Sequence, residues 1–331
     1  MRIAIWGAGS VGLGVATALA RPGDPVLLIG RDRDTAQAVE NEGLRRTGLF
    51  GDVHVPSEQL RFELEPETLL AFDPEWLLIC TKTHATPALA DVLRELAPRL
   101  TPRTRLVLCQ NGWGNEAAFL PVWPRERILH GRIITGFHRR GATEVEITAH
   151  AQPIALGSLF GVSPPDLPAL ATRIREGGLP TEVRDDMQAV LWAKMLYNCS
   201  LNPLGALTRR PYGALTADPE TRALVETVIR EIFSVLSAVD IEIDWPDADA
   251  YLETFHRDLI PPTARHESSM LQDLRAGRPT EIEALCGAVE RLGGPIGVST
   301  PTVSALARLV RAAQTREGTD EADFANERSA T

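Results

Sequence analysis

Three polar residues recur at every fourth position of an otherwise apolar stretch. Lys194, Asn198 and Asn202 lie within the run LWAKMLYNCSLN at 191–202, so on a helix they share one face. A cation and two amides on an apolar helix need polar partners, because unpaired buried polar groups are costly. A bound substrate would supply such partners, and a buried lysine is rarely kept without a role. Alternatively, the three side chains bond to loop carbonyls.

A second cluster with chemical potential is a glycine-rich turn near the N-terminus. The apolar run 2–6 is followed by Gly7-Ala8-Gly9-Ser10-Val11-Gly12 and then by a helix rich in alanine and leucine, to about residue 20. In this pattern Gly7 permits a tight turn, Gly9 lets the backbone approach a pyrophosphate, and Gly12 lets the helix pack close to the sheet. The N–H groups of the helix N-terminus then point at the phosphates. Because a second strand follows at 26–29, the context favours a dinucleotide site over a chance turn.

The end of that second strand indicates which dinucleotide binds. An acidic side chain there would hold a ribose hydroxyl of NAD, but the sequence is Gly30-Arg31-Asp32-Arg33. The guanidinium of Arg31 suits the additional phosphate of NADP, so NADPH/NADP+ is the predicted cofactor. In the alternative interpretation, Arg31 and Arg33 are ordinary surface charges and Asp32 is the ribose partner.

Two further polar residues follow predicted parallel strands. The runs 76–81 and 105–109 are almost entirely apolar, as in strands buried on both faces, and a helix at 87–97 separates them. Lys82 and Asn111 stand where these strands end, and open parallel sheets bind ligands beyond the carboxyl ends of their strands. Further β-like runs at 128–134, 145–150 and 154–157 are predicted to complete the same sheet.

The character of the sequence changes near residues 177–185. Amphipathic stretches predict helices at 186–207, 219–237, 247–259, 280–292 and 301–315. We therefore predict an α/β domain at 1–183, a helical domain at 184–317 and a frayed tail at 318–331, which has little to bury.

Three polar residues of the helical half have plain structural interpretations beside the functional ones. Ser268 and Ser269 precede an apolar-periodic run, where a serine commonly caps a helix. Glu281 follows Pro279, where an acidic residue is common in a first helical turn. The residues alone leave both interpretations open.

Length, charge and cysteine content limit the classes of function. The chain has 331 residues, 44% hydrophobic and 24% charged, which is typical of a globular protein with two domains. Its net charge of -10 argues against general nucleic-acid binding, which requires a basic surface. Four scattered cysteines without a C-x-x-C pair suggest neither a metal site nor a disulfide framework, so we expect reduced thiols in the cytoplasm. No run approaches the ~20 apolar residues of a membrane span, and the N-terminus lacks the layout of a signal peptide.

Taken in order, these motifs resemble the ketopantoate reductases (2-dehydropantoate 2-reductases) over nearly the whole chain, to about residue 315. Beside the glycine turn, Arg31 and the Lys82 turn, the matching segments are QNG at 110–112, LWAK at 191–194, Asn198-Cys199, Asn202-Pro203-Leu204 and SSMLQDLRAGRPTEI at 268–282, the last being the most specific. The resemblance implies an N-terminal Rossmann dinucleotide-binding domain followed by an all-helical C-terminal domain like that of 6-phosphogluconate dehydrogenase. It also implies a site in the cleft between the two domains.

The resemblance further implies an activity and a set of residue roles. The reaction would be the NADPH-dependent reduction of 2-dehydropantoate to (R)-pantoate, a step towards pantothenate and coenzyme A. The catalytic residues would be Lys194, as general acid, and Glu281. The substrate would be bound by Asn198, Asn202, Ser268, Ser269 and Asn111. The cofactor would be bound by Gly7, Ala8, Gly9, Ser10, Val11, Gly12, Arg31, Lys82, Asn111 and Glu281.

Three residues depart from the family pattern near the expected substrate. His266 stands where asparagine is frequent, Tyr212 stands where a substrate-contacting asparagine occurs, and Trp113 is bulkier than the usual aliphatic residue. They leave hydride transfer in place but put the identity of the acid in doubt, so reduction of a different 2-oxo acid is an alternative. A non-catalytic NADPH sensor is a further alternative, disfavoured because it has no need of a lysine and two amides on one helix face. We expect a small-molecule substrate, no nucleic-acid or membrane partner, and a monomer or homodimer.

Overall fold

A computed structural model describes residues 1–161 and 163–316, and within them the chain forms two compact units. The first unit comprises Met1–Asn111 and Asn115–Met187, and the second comprises Gly112–Gly114 and the chain from Gln188 onwards. The domain boundary between residues 183 and 184 stays a prediction. The predicted tail at 318–331 lies outside the described residues.

The strands of the first unit form two sheets. In chain order they are β1 (Ile3–Trp6), β2 (Val26–Ile29), β3 (Leu44–Gly48), β4 (Val53–Val55), β5 (Leu60–Glu63), β6 (Trp76–Ile79), β7 (Arg105–Leu108), β8 (Ile128–Arg132), β9 (Thr135–Arg139), β10 (Glu144–His150), β11 (Ile154–Gly157) and β12 (Thr181–Val183). Among the described residues, the large sheet has the order β12-β11-β8-β7-β6-β1-β2-β5. The strands β5, β2, β1, β6, β7 and β8, in this order across the sheet, pair in parallel with one another, whereas β11 is antiparallel to β8.

Short apolar runs explain the parallel core of the large sheet. The sequences VLLI in β2 and WLLI in β6 are buried along their whole length, as expected for strands covered on both faces. The helices of this unit are α1 (Ser10–Leu19), α2 (Arg33–Glu42), α3 (Thr68–Phe72), α4 (Thr86–Leu96) and α5 (Leu167–Glu176). Because β1, β2, β6 and β7 run in the same direction, their carboxyl ends meet at one edge of the sheet.

The run at 145–150 was predicted to join the large sheet, and this prediction is wrong. β10 belongs to a separate sheet of order β4-β3-β10-β9. Its sequence alternates, so that Val145 and Ile147 are buried while Glu146 is not. Alternation of this kind is typical of a strand covered on one face only, whereas the strands of the parallel core are covered on both.

The second unit is helical. Its helices are α6 (Met187–Thr208, beginning one residue before the unit), α7 (Tyr212–Ala217), α8 (Pro219–Ala238), α9 (Ala248–Thr254), α10 (Ser269–Arg275), α11 (Cys286–Gly293) and α12 (Pro301–Arg316). Apolar side chains from α6, α8, α11 and α12 form one buried core. Of the helices within the described residues, none is both long and apolar enough to cross a membrane.

A proline interrupts the hydrogen bonding of α6 without ending the helix. Pro203 lacks an N–H group, so the carbonyl oxygen of Cys199, four residues earlier, loses its helical donor. The thiol of Cys286 lies 3.9 Å from that oxygen and donates a weak hydrogen bond to it. This contact ties α11 to the middle of α6, the helix that carries the polar stripe.

Two helix predictions in this half need correction. The stretch 280–292 is not one helix, because α11 begins only at Cys286 and residues 281–285 form turns. In those turns the carbonyl of Glu281 accepts hydrogen bonds from the N–H groups of Ala284 and Leu285, both at 3.1 Å. The stretch 247–259 is divided as well, since α9 ends at Thr254 and a π-helical turn, Phe255–Leu259, follows it.

Candidate active site

The glycine turn lies between β1 and α1, at the carboxyl edge of the large sheet. Gly7 has a φ of 118°, a conformation that favours glycine, and its N–H donates to the carbonyl of Ile29 at 2.9 Å. A Cβ atom on Gly12 would lie 1.9 Å from the carbonyl oxygen of Gly7, so α1 can start this close to the turn only with glycine there. A Cβ atom on Gly9, in contrast, would meet no atom within 4 Å. The space in front of α1 is therefore open, as a pyrophosphate requires.

The residues that follow β2 include both candidates for the ribose end of a dinucleotide. Arg31 is exposed. Asp32 is the N-cap residue of α2, and its carboxylate accepts hydrogen bonds from the hydroxyl of Thr35 and from the N–H of Asp34 at 3.2 Å. The bond from Thr35 above all, followed by backbone N–H groups, holds the pKa of Asp32 below its ordinary value. Binding of a ribose by Asp32 would thus compete with helix capping.

One cation beside the glycine turn was not predicted from the sequence. Arg139 lies on β9, and its guanidinium donates to the carbonyl of Ala8 at 3.4 Å and to the hydroxyl of Thr35 at 2.6 Å. The only sequence signal was the pair Arg139-Arg140 at the end of a strand, which is common on surfaces. A guanidinium placed here is suited to a phosphate group, for which its donors are well arranged.

Lys82 and Asn111 follow β6 and β7, which are neighbours in the large sheet. The register pairs Ile79 with Leu108, so the two strands end level with each other. Both residues are half-buried, and the carbonyl of Asn111 accepts a hydrogen bond from the side chain of Asn115 at 2.8 Å. The strand order thus brings Lys82 and Asn111 to the same edge as the glycine turn.

The polar stripe of the second unit lies on α6, as its four-residue spacing predicts. Lys194 and Asn198 are half-buried, and Asn202 is 5% exposed. Trp192, just before the stripe, and Leu196, within it, are wholly buried. Asn202 is therefore the most enclosed member of the stripe.

Two residues from other segments meet Asn202. The hydroxyl of Tyr212 donates to the side-chain oxygen of Asn202 at 2.6 Å. The hydroxyl of Ser268 donates to the backbone carbonyl of Asn202 at 3.3 Å and accepts from the N–H of Leu271 at 3.1 Å. Ser268 is thus the N-cap residue of α10, and its hydroxyl has partners within the protein.

Ser269 and Glu281 lie at the start of α10 and after its end, respectively. Ser269 is the first residue of that helix and is half-buried. Glu281 is 6% exposed and lies in the turn before α11. Its interpretation as a first-turn helix charge is wrong, because no helix starts at Pro279 or Thr280.

The three departures from the family pattern are packed against aromatic rings. Trp113 and Trp192 have ring centroids 5.0 Å apart, and the N–H of Trp113 donates to the carbonyl of Ala284 at 2.9 Å. The rings of Tyr212 and His266 are 5.1 Å apart. Burial lowers the pKa of His266 below its ordinary value.

The predicted site residues thus form two groups, each within one unit. The first unit holds Gly7, Ala8, Gly9, Ser10, Val11, Gly12, Arg31, Lys82 and Asn111. The second unit holds Lys194, Asn198, Asn202, Ser268, Ser269 and Glu281. The first group has the open turn and cations that a dinucleotide needs, and the second has a cation and amides suited to a small anion.

Comparison with known proteins identifies the class and then the family. The model of the family described as "Ketopantoate reductase PanE/ApbA" matches residues 3–160, and that of its C-terminal domain matches residues 186–314. A Rossmann-type α/β domain followed by a helical domain is the architecture of these enzymes, so the predicted fold class is confirmed. The chain belongs to the ketopantoate reductase PanE/ApbA family, as its motifs indicated, and is an oxidoreductase of that family.

Relatives of known name cover nearly the whole chain. A 2-dehydropantoate 2-reductase of Aquifex aeolicus is 33% identical over 313 residues, which are 94% of this chain and 96% of that protein. The crystal structure of a ketopantoate reductase of the same family from Ralstonia eutropha has a TM-score of 0.82 and 26% identity, covering 96% of this chain and all of that one. The structure of D-mandelate dehydrogenase with NADH and anilino(oxo)acetate has a TM-score of 0.79 and 25% identity, covering 96% and 99%.

Proposed function

We propose that this protein reduces 2-dehydropantoate to (R)-pantoate with NADPH, and that Lys194 is its general acid. The observation that carries the proposal is the stripe of Lys194, Asn198 and Asn202 on α6, in a chain 33% identical to a 2-dehydropantoate 2-reductase. The stripe offers one proton donor and two amides to a small acid. A sensor protein would need none of them for binding NADPH.

The lysine content of the chain supports the role of Lys194. Lys82 and Lys194 are the only lysines in the sequence, and all its other basic residues, out of 34, are arginines. Arginine supplies positive charge but does not give up a proton at working pH, whereas lysine does. A chain that uses arginine at all but two of its Lys and Arg positions thus keeps an amine at position 194, where the reaction needs a proton.

The residues at the glycine turn fit the cofactor. The open space at Gly9 and the cations Arg31 and Arg139 suit a pyrophosphate and a further phosphate. Lys82 and Asn111, at the same edge of the sheet, would bind the rest of the dinucleotide. When bound, NADPH supplies the hydride that reduces the keto carbon of the acid.

The second unit supplies the acid–base part of the reaction. As negative charge develops on the keto oxygen, the ammonium of Lys194 stabilises it and donates a proton, and a positioned acid typically contributes ~10²–10⁴-fold in rate. Asn198, Asn202 and Ser269 bind the polar groups of the acid. The carboxylate of Glu281 takes part in binding the acid or the cofactor.

The decisive experiment follows the absorbance of NADPH in the presence of purified protein and 2-dehydropantoate. Lys194→Ala and Lys194→Arg should both lose at least about 10²-fold in kcat, since neither keeps the amine. Lys82→Arg is the matched control, because it replaces the only other lysine and is expected to change the affinity for NADPH rather than kcat. Fluorescence of bound NADPH should persist in the Lys194 variants. A Lys194→Ala protein of full activity would refute the assigned role.

A second candidate is the reduction of another branched or aromatic 2-oxo acid. It is favoured by the rings of Trp113, Tyr212 and His266, and a solved structure 25% identical to this chain is a D-mandelate dehydrogenase that holds NADH. A panel of 2-dehydropantoate, trimethylpyruvate and phenylglyoxylate, each with NADPH and with NADH, separates the two candidates. The preferred acid is the one with the largest kcat/KM.

A further inference from the structure

The hydroxyl of Tyr212 donates a hydrogen bond to the side-chain oxygen of Asn202. The two atoms are 2.6 Å apart, and the exposed fractions of the two residues are 3% for Tyr212 and 5% for Asn202. Water therefore competes little for this hydrogen bond. Burial above all, followed by the neighbouring phenol of Tyr197, raises the pKa of Tyr212 far above its ordinary value, so the hydroxyl stays protonated throughout the working range of pH.

Tyr212 is held in place from several sides. Its N–H donates to the carbonyl of His266 at 3.1 Å, and the ring of His266 packs against its own ring. The ring of Tyr197 meets it edge-on, with centroids 5.6 Å apart, and the hydroxyl of Tyr197 is bonded to Thr263. Gly213 is packed so closely that a Cβ atom there would lie 2.8 Å from the Cβ of Ala264. These contacts fix the position of the Tyr212 hydroxyl, so the Asn202 amide takes the orientation that bonds to it.

The hydrogen bond also decides which way the amide of Asn202 faces. With its oxygen towards Tyr212, the phenol proton has an acceptor. With the amide reversed, the nitrogen would donate to the phenol oxygen, and the phenol proton would have no acceptor among the described residues. Leaving a buried donor unsatisfied costs about 1–3 kcal/mol, so the observed orientation is strongly preferred.

The amide nitrogen of Asn202 is then the part left for a ligand. No described residue accepts a hydrogen bond from this nitrogen, yet it is not among the buried polar atoms that lack a partner, so it retains contact with solvent. A carboxamide oxygen accepts hydrogen bonds and the nitrogen donates them. With the oxygen occupied, Asn202 acts on a ligand as a donor.

We propose that Tyr212 is a positioning residue that fixes Asn202 as a hydrogen-bond donor, and that Asn202 donates to the carboxylate or keto oxygen of the substrate in preference to its hydroxyl. Those two oxygens only accept hydrogen bonds, and the carboxylate is charged, whereas a hydroxyl also carries a proton that the occupied amide oxygen cannot accept. The inference rests on the proposed function for the identity of the ligand as a 2-oxo acid. It assigns to Asn202 the part of the substrate that all 2-oxo acids share. Discrimination between 2-oxo acids that differ beyond the keto carbon must then come from other residues of the protein.

The test compares two acids that differ by one hydroxyl. Trimethylpyruvate has a methyl group where 2-dehydropantoate has a hydroxymethyl group. Tyr212→Phe should raise KM about fivefold for both acids, the equivalent of about one hydrogen bond, and leave kcat within about twofold. Tyr197→Phe is the matched control, because it removes a neighbouring phenol that bonds to Thr263 instead of Asn202, and it should change neither KM. A rise in KM confined to 2-dehydropantoate would overturn the inference, since it would place the substrate hydroxyl at Asn202.

A second measurement decides the inference without turnover. The chain has few asparagines, so labelling them with ¹⁵N gives a simple spectrum of side-chain amides, in which Asn202→Asp identifies the signal of Asn202. Trimethylpyruvate should shift that signal in the wild-type protein, and the shift should weaken in Tyr212→Phe. Movement of other amide signals shows when the protein is saturated with the acid. If the Asn202 signal has not moved at that point, the inference is overturned. A wild-type protein that reduces no 2-oxo acid would refute the proposed function alone, because this titration is read independently.

Discussion

Replacing Gly9 by alanine should separate cofactor binding from folding. Gly9 precedes α1 with φ of -86° and ψ of -172°, a conformation that alanine adopts without strain. A Cβ atom there would meet no protein atom within 4 Å. The added methyl group would instead project into the open space in front of the helix, where the proposed pyrophosphate binds.

The expected effect on stability is small because two contributions oppose each other. Alanine reduces the entropy of the unfolded chain, which stabilises the protein by about 0.4–1 kcal/mol. Alanine is also a poorer N-cap residue than glycine, which costs a similar amount. The effect on binding is large, since displacing the pyrophosphate from two backbone N–H groups forfeits about 1.5–3 kcal/mol each, or about 10²–10⁴-fold in Kd.

The assay pairs this variant with Gly12→Ala. A Cβ atom on Gly12 would overlap the carbonyl of Gly7 at 1.9 Å, so the backbone must move, at about 1–3 kcal/mol and several degrees of Tm. Thermal unfolding without cofactor and titration with NADPH are then measured on both proteins. Gly9→Ala should unfold like the wild type and fail to bind, whereas Gly12→Ala should unfold early. A Gly9→Ala protein that binds NADPH with wild-type affinity would refute the placement of the cofactor at this turn.

Two further substitutions test single residues. Arg31→Asp should lower kcat/KM with NADPH and raise it with NADH, each by at least about tenfold, because a carboxylate repels the extra phosphate of NADPH and binds a ribose hydroxyl; an unchanged ratio of the two would contradict the role of Arg31. Tyr251→Phe should stabilise the protein by about 1 kcal/mol in chemical unfolding, because the Tyr251 hydroxyl is wholly buried and no described residue is bonded to it. Destabilisation by Tyr251→Phe would instead show that this hydroxyl is satisfied, for example by a buried water molecule.

The parallel core could be predicted from sequence because its signal is local. The run Val26–Ile29 is bounded by Pro25 and Gly30 and forms a strand with these limits. Apart from β10, the strands of the small sheet gave no such signal. β3 has the sequence LRRTG, and its Arg46 is wholly buried, with its guanidinium bonded to the hydroxyl of Thr17 at 3.2 Å and the carbonyl of Gly177 at 2.8 Å. From the sequence, an arginine is expected at the surface, because the partners that stabilise it in the interior are distant along the chain.

The candidate site shows the same limit. The stripe on α6 could be predicted because spacing along one helix fixes a face. The hydrogen bond between Tyr212 and Asn202 could not be predicted, because it depends on the path of the turn that connects α6 to α7. Arg139 was missed for a similar reason, since only the pairing of β9 with β10 brings it to the glycine turn. Ser268 illustrates the opposite case, in which a functional expectation meets a residue already engaged as a helix cap.

The assignment of Gly112–Gly114 to the second unit has a consequence for attempts to divide the protein. The chain changes unit at three peptide bonds, after residues 111, 114 and 187, so no single cut yields two complete pieces. A fragment ending at Met187 would contain Trp113 but neither Ala284, the acceptor of its N–H, nor Trp192, the ring against which it packs. In such a fragment the side chain of Trp113 would be exposed to solvent, and copies of the fragment would tend to self-associate through it. Separate polypeptides for the two halves should therefore be co-expressed. Residues 112–114 of the first polypeptide would then pack against Ala284 and Trp192 of the second.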